Sequence, residues 1–493
     1  MNNKSVLLLL PILLPVAGGL MMPFLPTLQE RRPRQIYITA FLALNAAIVC
    51  TIALQPDSAL TLLYLTDRLP VLFRIDDLAR FFMVLVSFMF LVVGIYAFEY
   101  IKHEKDEVRF YLFYLVVLGM LMGIGLSGNM MTLYLFFEFM TLLSVPLVLH
   151  SLTKEAIAAA FKYLFYSIAG ASLGLIGFFF VYTYGDTIAF TQGGVLNAAK
   201  LAGHEGAMLV AVFITVIGFG TKAGMFPMHA WLPTAHPVAP APASAILSGV
   251  ITKAGVFAII RYVFFLVGAD FIRGTWVQYA WLSLALITVF MGSMLAYKEP
   301  LLKKRLAYSS VSQVSYVLFG LATLTAGGAL GALLHVVFHS IVKDALFLAA
   351  GAIIYKTHKT RVDELQGIGK QMPIVMGCFT MVSVTLVGIP PTSGFLSKWY
   401  LATGALSADI SFFSWLGPAV LLLSALLTAG YLFPISINGF FPGADFDYAA
   451  LKKAEPNGLM TGPLLLLALL AVLFGILPGF LVDFCGQIVA LMV

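Results

Sequence analysis

The chain is a succession of apolar runs of about 20 residues, each long enough to cross the roughly 30 Å hydrocarbon core of a bilayer as a helix. Backbone amides find no water there, so a spanning segment must satisfy its own hydrogen bonds, and a helix does so within one run. The period-two alternation of a membrane barrel is missing from every run. The runs lie near 5–24, 35–54, 77–100, 109–127, 129–149, 156–184, 206–232, 241–266, 275–297, 303–325, 328–355, 372–405, 413–437 and 461–491. Composition agrees: the chain is 61% hydrophobic and 11% charged, against about 45–50% and about 25% in soluble proteins. The 493 residues are therefore not divided into soluble domains by length. The expected fold is an all-α polytopic membrane protein of about fourteen transmembrane helices. The first run is too long, and too poor in small residues at its end, for a cleaved signal peptide.

Two connections carry their own signals. Residues 61–75, with Asp67-Arg68-Leu69-Pro70 at the centre, predict a short hairpin outside the membrane. Residues 185–205, with Gly193-Gly194, predict a surface loop holding one amphipathic turn. Lysine and arginine placement orients the spans. Eighteen fall in one set of alternate connections, among them Arg31, Lys102, Lys303 and Lys359; seven fall in the other, among them Lys4, Arg74 and Arg261. The richer side is cytoplasmic by the positive-inside rule, which puts both termini outside. The net charge of +6 then needs no nucleic acid to explain it.

Two of the long runs are broken by glycine and proline, at GFGTKAGMFPMHAWLP (218–233) and GIPPTSGFLSKWY (388–400). Proline removes a donor and glycine admits non-helical angles, so both should unwind at membrane depth, where irregular backbone survives only around an enclosed cavity. The breaks are five spans apart, an odd number, so in a repeat the two copies would run in opposite directions across the membrane. Paired interrupted helices of that kind mark the conduction site of many transporters.

Ionisable groups sit at the centres of these same runs: Glu138, Lys222, Lys253, Lys343 and Lys398. Each costs roughly 2.5–3.5 kcal/mol in a bilayer, and five cost roughly 12–18 kcal/mol, so they mark a path for protons or ions. Lys222 is the natural partner of Glu138, since pairing lowers the cost of both charges; a static salt bridge is the plainer reading of such a pair. Lys253 has no acid in its own run, and a buried amine suits a group that gains and loses a proton. His335 and His339 share a helix face with Lys343, at intervals of four. The H-x-x-x-H spacing could suggest zinc, but Val336 replaces the glutamate of H-E-x-x-H and no third ligand is apparent, so a metal is not expected. A proton relay suits two imidazoles and an amine better. Asp344 turns about 100° away from Lys343 on a helix and is given no role. Cys50, Cys378 and Cys485 are isolated, and GFGTKAG has no preceding strand, so neither a redox centre nor a dinucleotide site is expected; cofactors and metals are both read as none.

The run GTKAGMFPMHAWLPTAHPVAPAPASAILSGVITKAG, with HSIVKDALFLAAG and GIPPTSGFLSKW, resembles the antiporter-like membrane subunits shared by respiratory complex I, Mrp-type sodium/proton antiporters and energy-converting hydrogenases. The resemblance covers roughly residues 60–440. It implies two inverted five-helix repeats, near 109–266 and 275–437, each with a broken helix and flanked by further helices in 1–100 and 461–493. It implies that Glu138, Lys222, Lys253, His335, His339, Lys343 and Lys398 form a hydrated proton axis. The implied function is proton translocation in a redox-driven complex of the inner membrane, among other antiporter-like subunits and a redox or hydrogenase module. The alternative is a subunit of an Mrp-type exchanger that moves sodium without a redox partner. Lys398 stands where one complex I subunit has glutamate, and Thr234 where many relatives have aspartate. The run AHPVAPAPASAILSGVITKAG looks most like the hydrogenase branch. The sequence given stops before any long lateral helix of the kind the largest members carry.

Overall fold

The computed structural model describes residues 6–443, 446–447 and 452–493; Lys4 and Ser5, the first residue of the opening run, lie outside them. The helices that matter are α1 Leu7–Phe24, α2 Arg31–Ala53, α3 Asp77–Tyr100, α4 Glu107–Gly125, α5 Met130–Val148, α6 Lys154–Tyr184, α7 Glu205–Ala223 and α8 Ala241–Val267. They continue with α9 Trp276–Lys298, α10 Leu302–Ala322, α11 Ala326–Thr357, α12 Pro373–Val387, α13 Ser393–Leu406, α14 Phe413–Phe440, α15 Gly458–Ile476 and α16 Gly479–Val489. Among the described residues, twelve helices are long and apolar enough to cross a membrane.

The helix starts follow from local chemistry. Asp76 caps α3 by accepting from Ala79 N at 2.9 Å, Asn129 caps α5 through Thr132 N at 2.8 Å, and Thr153 caps α6 through Ala156 N at 3.1 Å. The hairpin is present: β1 Ser58–Tyr64 pairs antiparallel with β2 Pro70–Ile75, Ser58 opposite Ile75, and the register shifts between Thr61 and Leu63. Loop 185–205 carries one turn of helix at Ala198–Leu201.

Two of the fourteen runs fall outside the twelve. Run 303–325 is α10, whose Lys303, Lys304, Arg305 and string of serines make it too polar by composition, yet most of it is buried between α9 and α11. Run 372–405 divides into α12 and α13. The run read as one span over 461–491 is also divided, because Pro478 ends α15 at Leu477 before α16 begins. Gly475, near that end, packs on the break between α12 and α13: an added Cβ would lie 2.1 Å from Pro391 O.

At the centre stand α8, buried along its whole apolar window, and α11, buried along nearly all of it. Lipid supplies no hydrophobic drive for helices to associate, so close packing of small residues must. The Gly- and Ala-rich sequence of α11 permits that approach; a Cβ at Gly331 would stand 2.6 Å from Leu401 N of α13. The central pair carries Lys253, His335, His339 and Lys343, which places four of the seven expected site residues in the middle of the protein.

Candidate functional site

The first break follows from Gly224. Its φ of 80° ends α7 in the left-handed region that glycine adopts freely, and the chain then turns through Pro227 into the short helix Leu232–Val238. Trp231 Nε1 donates to the freed Thr221 O at 2.8 Å. Lys222 lies in the last turn of α7, 1% exposed. Its ammonium donates to Thr141 Oγ1 at 2.9 Å, Tyr163 OH at 2.8 Å and Ser167 Oγ at 3.2 Å. Three hydroxyls from α5 and α6 thus take the three donors of the amine.

The direct ion pair expected between Glu138 and Lys222 is therefore not formed. Glu138 is half-buried on α5 and accepts from Tyr134 OH at 3.0 Å. Thr141 follows it by three residues, so the amine is anchored about one turn from the carboxylate.

The second break has the same cause: Gly388, at φ 93°, ends α12. Here the lysine lies beyond the break. Lys398, on α13, reaches back so that Nζ donates to Leu386 O at 2.6 Å and Val387 O at 2.9 Å. A cation at the carbonyl end of a helix meets both unpaired acceptors and the negative end of the dipole.

Between the breaks, the central groups touch. Lys253 Nζ meets His339 Nδ1 at 2.6 Å and donates to Ser248 O at 2.5 Å, a carbonyl in the π-helical turn Leu247–Ile251 of α8. Such turns misalign the backbone ladder, and Ser248 O also accepts from Thr252 Oγ1 at 2.8 Å. The rings of His339 and His335 stack at 5.9 Å, and His335 Nδ1 meets Ser397 Oγ, next in sequence to Lys398, at 2.9 Å. Tyr316 closes the set: it stacks on His335 at 5.5 Å and places its ring 5.1 Å from Lys398 Nζ. A cavity of about 10 Å³, at the lower limit for one water, lies among His335, His339, Thr385 and Gly394.

Lys343 diverges from the shared face. It turns to α10, where Nζ donates to Leu306 O at 3.0 Å and to Ser309 Oγ. Lys222 and Lys253 stand on packed neighbours, α7 and α8: a Cβ at Gly255 would lie 2.9 Å from Lys222 Cβ. Among the described residues no side-chain hydrogen bond joins the two amines directly.

Two buried groups lie outside the set of site residues expected from the sequence. His236 is fully buried, stacks on Phe347 at 4.6 Å and has no partner for either ring nitrogen. Asp344 is fully buried with neither carboxylate oxygen bonded. Proximity to Lys343 was the only signal for the aspartate, and the AHPVAP run the only one for the histidine. Beside His236, a cavity of about 400 Å³ opens among Tyr100, Glu104, residues 237–240, Lys303 and Lys304. Lys303 Nζ donates into its wall at Pro237 O and Ala239 O. Burial pushes the Glu104 carboxyl above the usual carboxylate range, against the opposing pull of Lys303 and His103.

Residues 127–426 match the family described as NADH:quinone oxidoreductase/Mrp antiporter, TM, and residues 66–111 match that described as NADH-Ubiquinone oxidoreductase (complex I), chain 5 N-terminus. The chain is 35% identical to NADH-quinone oxidoreductase subunit N of Desulforudis audaxviator, over 78% of this chain and 75% of the relative. It is 29% identical to a subunit of the Na(+)/H(+) antiporter of Bacillus subtilis, over 97% of this chain and 94% of that relative. Its fold is that of a chain in the membrane-bound sulfane sulfur reductase, an archaeal respiratory membrane complex, with a TM-score of 0.86, 22% identity, and 98% and 97% of the two chains covered.

Proposed function

The chain belongs to the NADH:quinone oxidoreductase/Mrp antiporter transmembrane family, and from that premise we propose that it is the proton-translocating, antiporter-like subunit of a redox-driven membrane complex of the complex I or energy-converting hydrogenase type. The observation that carries this is the cluster at the centre of the protein, where Lys253 Nζ meets His339 Nδ1, the His339 and His335 rings stack, and His335 Nδ1 meets Ser397 Oγ, the residue before the partly buried Lys398. Amines and imidazoles in contact pass protons by short transfers, and nothing else in so apolar a setting accounts for their cost.

In this reading protons enter from the cytoplasmic side near Lys222 or Lys253, pass along the histidine face and leave outward past Lys398. Glu138, Lys222 and Lys343 complete the set, and 109–266 and 275–437 act as inverted repeats that bring one break to each half. Both termini face outward from the inner membrane. The half-buried Glu138 acts as the switch. Drawn to about 4 Å from Lys222 by a neighbouring subunit, it would favour the charged amine by about 4 kcal/mol at an effective dielectric of 20, nearly a thousandfold in proton occupancy. The driving energy comes from partner subunits, including further antiporter-like chains and a redox or hydrogenase module.

A second reading, an Mrp-type sodium/proton exchanger subunit with no redox partner, is favoured by the alignment to the Bacillus subtilis antiporter chain over nearly both full lengths. One experiment tests the proposal and separates the two. The native complex is reconstituted in vesicles and internal pH is followed, first with electron donor and acceptor, then with an imposed sodium gradient. Redox-driven proton movement that Lys222→Ala and Lys398→Ala abolish supports the proposal. Movement driven by sodium alone supports the second reading, and undiminished transport in both variants refutes both.

A further inference from the structure

Asp344 has the burial of a core residue and the chemistry of an acid. It lies on α11, fully buried, with both carboxylate oxygens unbonded. Its seat is Gly249, in the π-helical turn of α8: a Cβ there would fall 1.8 Å from Asp344 Oδ1 and 2.5 Å from Cγ. Only a residue without a side chain leaves room for the carboxylate at that point. Lys253 lies four residues beyond Gly249 on the same helix, about one turn along from the point that receives Asp344. The other titratable groups around it are Tyr114 of α4 and, on its own helix, His339 and Lys343.

An ionised carboxylate is not retained in such a place without an opposite charge, and a buried cation likewise. Among the described residues Asp344 is the one fully buried acid, and it packs on the helix that carries, about one turn further on, the amine touching the histidines. We propose that Asp344 and Lys253 form an acid–amine couple on the proton path and share one proton between them. This rests on the proton-transfer reading above and adds a station to it. The couple holds its proton either on Nζ, as an ion pair, or on the carboxyl, as two neutral groups; neither form carries net charge. A second proton arriving gives Lys253 in its ammonium form beside a protonated Asp344, a single positive charge. Nζ then donates to His339 Nδ1, the imidazolium gives its Nε2 proton to a water in the small cavity between the two histidines, and a turn of the ring restores Nδ1 as an acceptor, so that couple and ring both return to their starting state. One proton enters and one leaves.

The test compares Asp344→Asn, Asp344→Glu and Lys398→Ala in the intact reconstituted complex. Proton transport is recorded across pH, and electron transfer is recorded alongside to report assembly. Asparagine keeps the shape but cannot take a proton, so Asp344→Asn should lower transport at least tenfold and flatten its dependence on pH. Asp344→Glu keeps an acid and should retain most transport with a displaced pH profile. If Lys398→Ala stops transport while Asp344→Asn leaves rate and pH profile unchanged, the couple is refuted and the wider path stands. If neither variant changes transport, both readings fall. Should Asp344→Asn fail to assemble, the glutamate variant decides: an unchanged pH profile there overturns the proposal.

Discussion

Replacing Lys253 by methionine removes the amine bonded to His339 while keeping nearly the same length and an apolar stem. The fold should survive. Ser248 O keeps its bond from Thr252 Oγ1 at 2.8 Å, so the carbonyl in the π-helical turn is not orphaned. The group that loses its partner is His339 Nδ1, and a buried polar atom left unbonded costs about 1–3 kcal/mol. Transport should suffer more. A positioned acid–base group contributes about 10²–10⁴-fold to a proton transfer, or about 2.7–5.4 kcal/mol at 1.36 kcal/mol per decade. The proton must otherwise cross from α8 to α11 without the 2.6 Å contact that now joins them. The assay is the initial rate of acidification in vesicles holding the assembled complex. Lys200→Met is the control, since Lys200 lies at the surface in an exposed pair with Asp186. A Lys253→Met complex that assembles and pumps within twofold of the native rate would refute this account of the centre.

Lys398 has two duties that one substitution separates: arginine can still donate to Leu386 O and Val387 O but cannot give up its proton, so Lys398→Arg should assemble normally and transport at least tenfold more slowly, measured in the same vesicles. Asp76 holds the C-terminal part of α8 to the hairpin, accepting from both Arg261 terminal nitrogens at 2.7 Å, and Arg261 is 1% exposed. Asp76→Ala strands that guanidinium and should cost about 3–5 kcal/mol, read as a lower midpoint of unfolding in detergent. Burial pushes the Asp76 carboxyl up, but Arg261, the Ala79 N–H and Arg74 together outweigh it and hold the group below the usual carboxylate range. A depressed carboxyl contributes stability above its unfolded value of about 3.9 and loses it as pH falls through the lower folded value, so the native protein should weaken below about pH 4 and Asp76→Ala should show less of that loss.

The apolar runs made the membrane class legible, because only a bilayer requires 20 such residues in succession. Glycine and proline made two breaks legible, since Gly224 and Gly388 take up backbone angles other residues avoid. The third break, at Leu477-Pro478, carried the same proline signal without a charge to draw attention to it. Charge alone overstated the pairing of Glu138 with Lys222, because Thr141, Tyr163 and Ser167 read as ordinary helix residues until packing turned their hydroxyls onto one amine. Helical spacing set Lys343 beside the histidines, whereas α10 draws it aside through Ser309. The same spacing turned Asp344 away from Lys343 and hid it, because what receives Asp344 is a glycine on another helix.

The central claim is that these groups act in series on one path, and a double substitution tests that most directly. Lys222→Met and Lys398→Met lie at the two ends, in different breaks with no shared partner. On a single path the times of successive steps add, so the double variant should transport at no less than about half the rate of the slower single variant. Single variants that each keep a large share of the native rate, with a double variant far slower than that bound, would mean that the lysines serve separate routes, and would contradict the account.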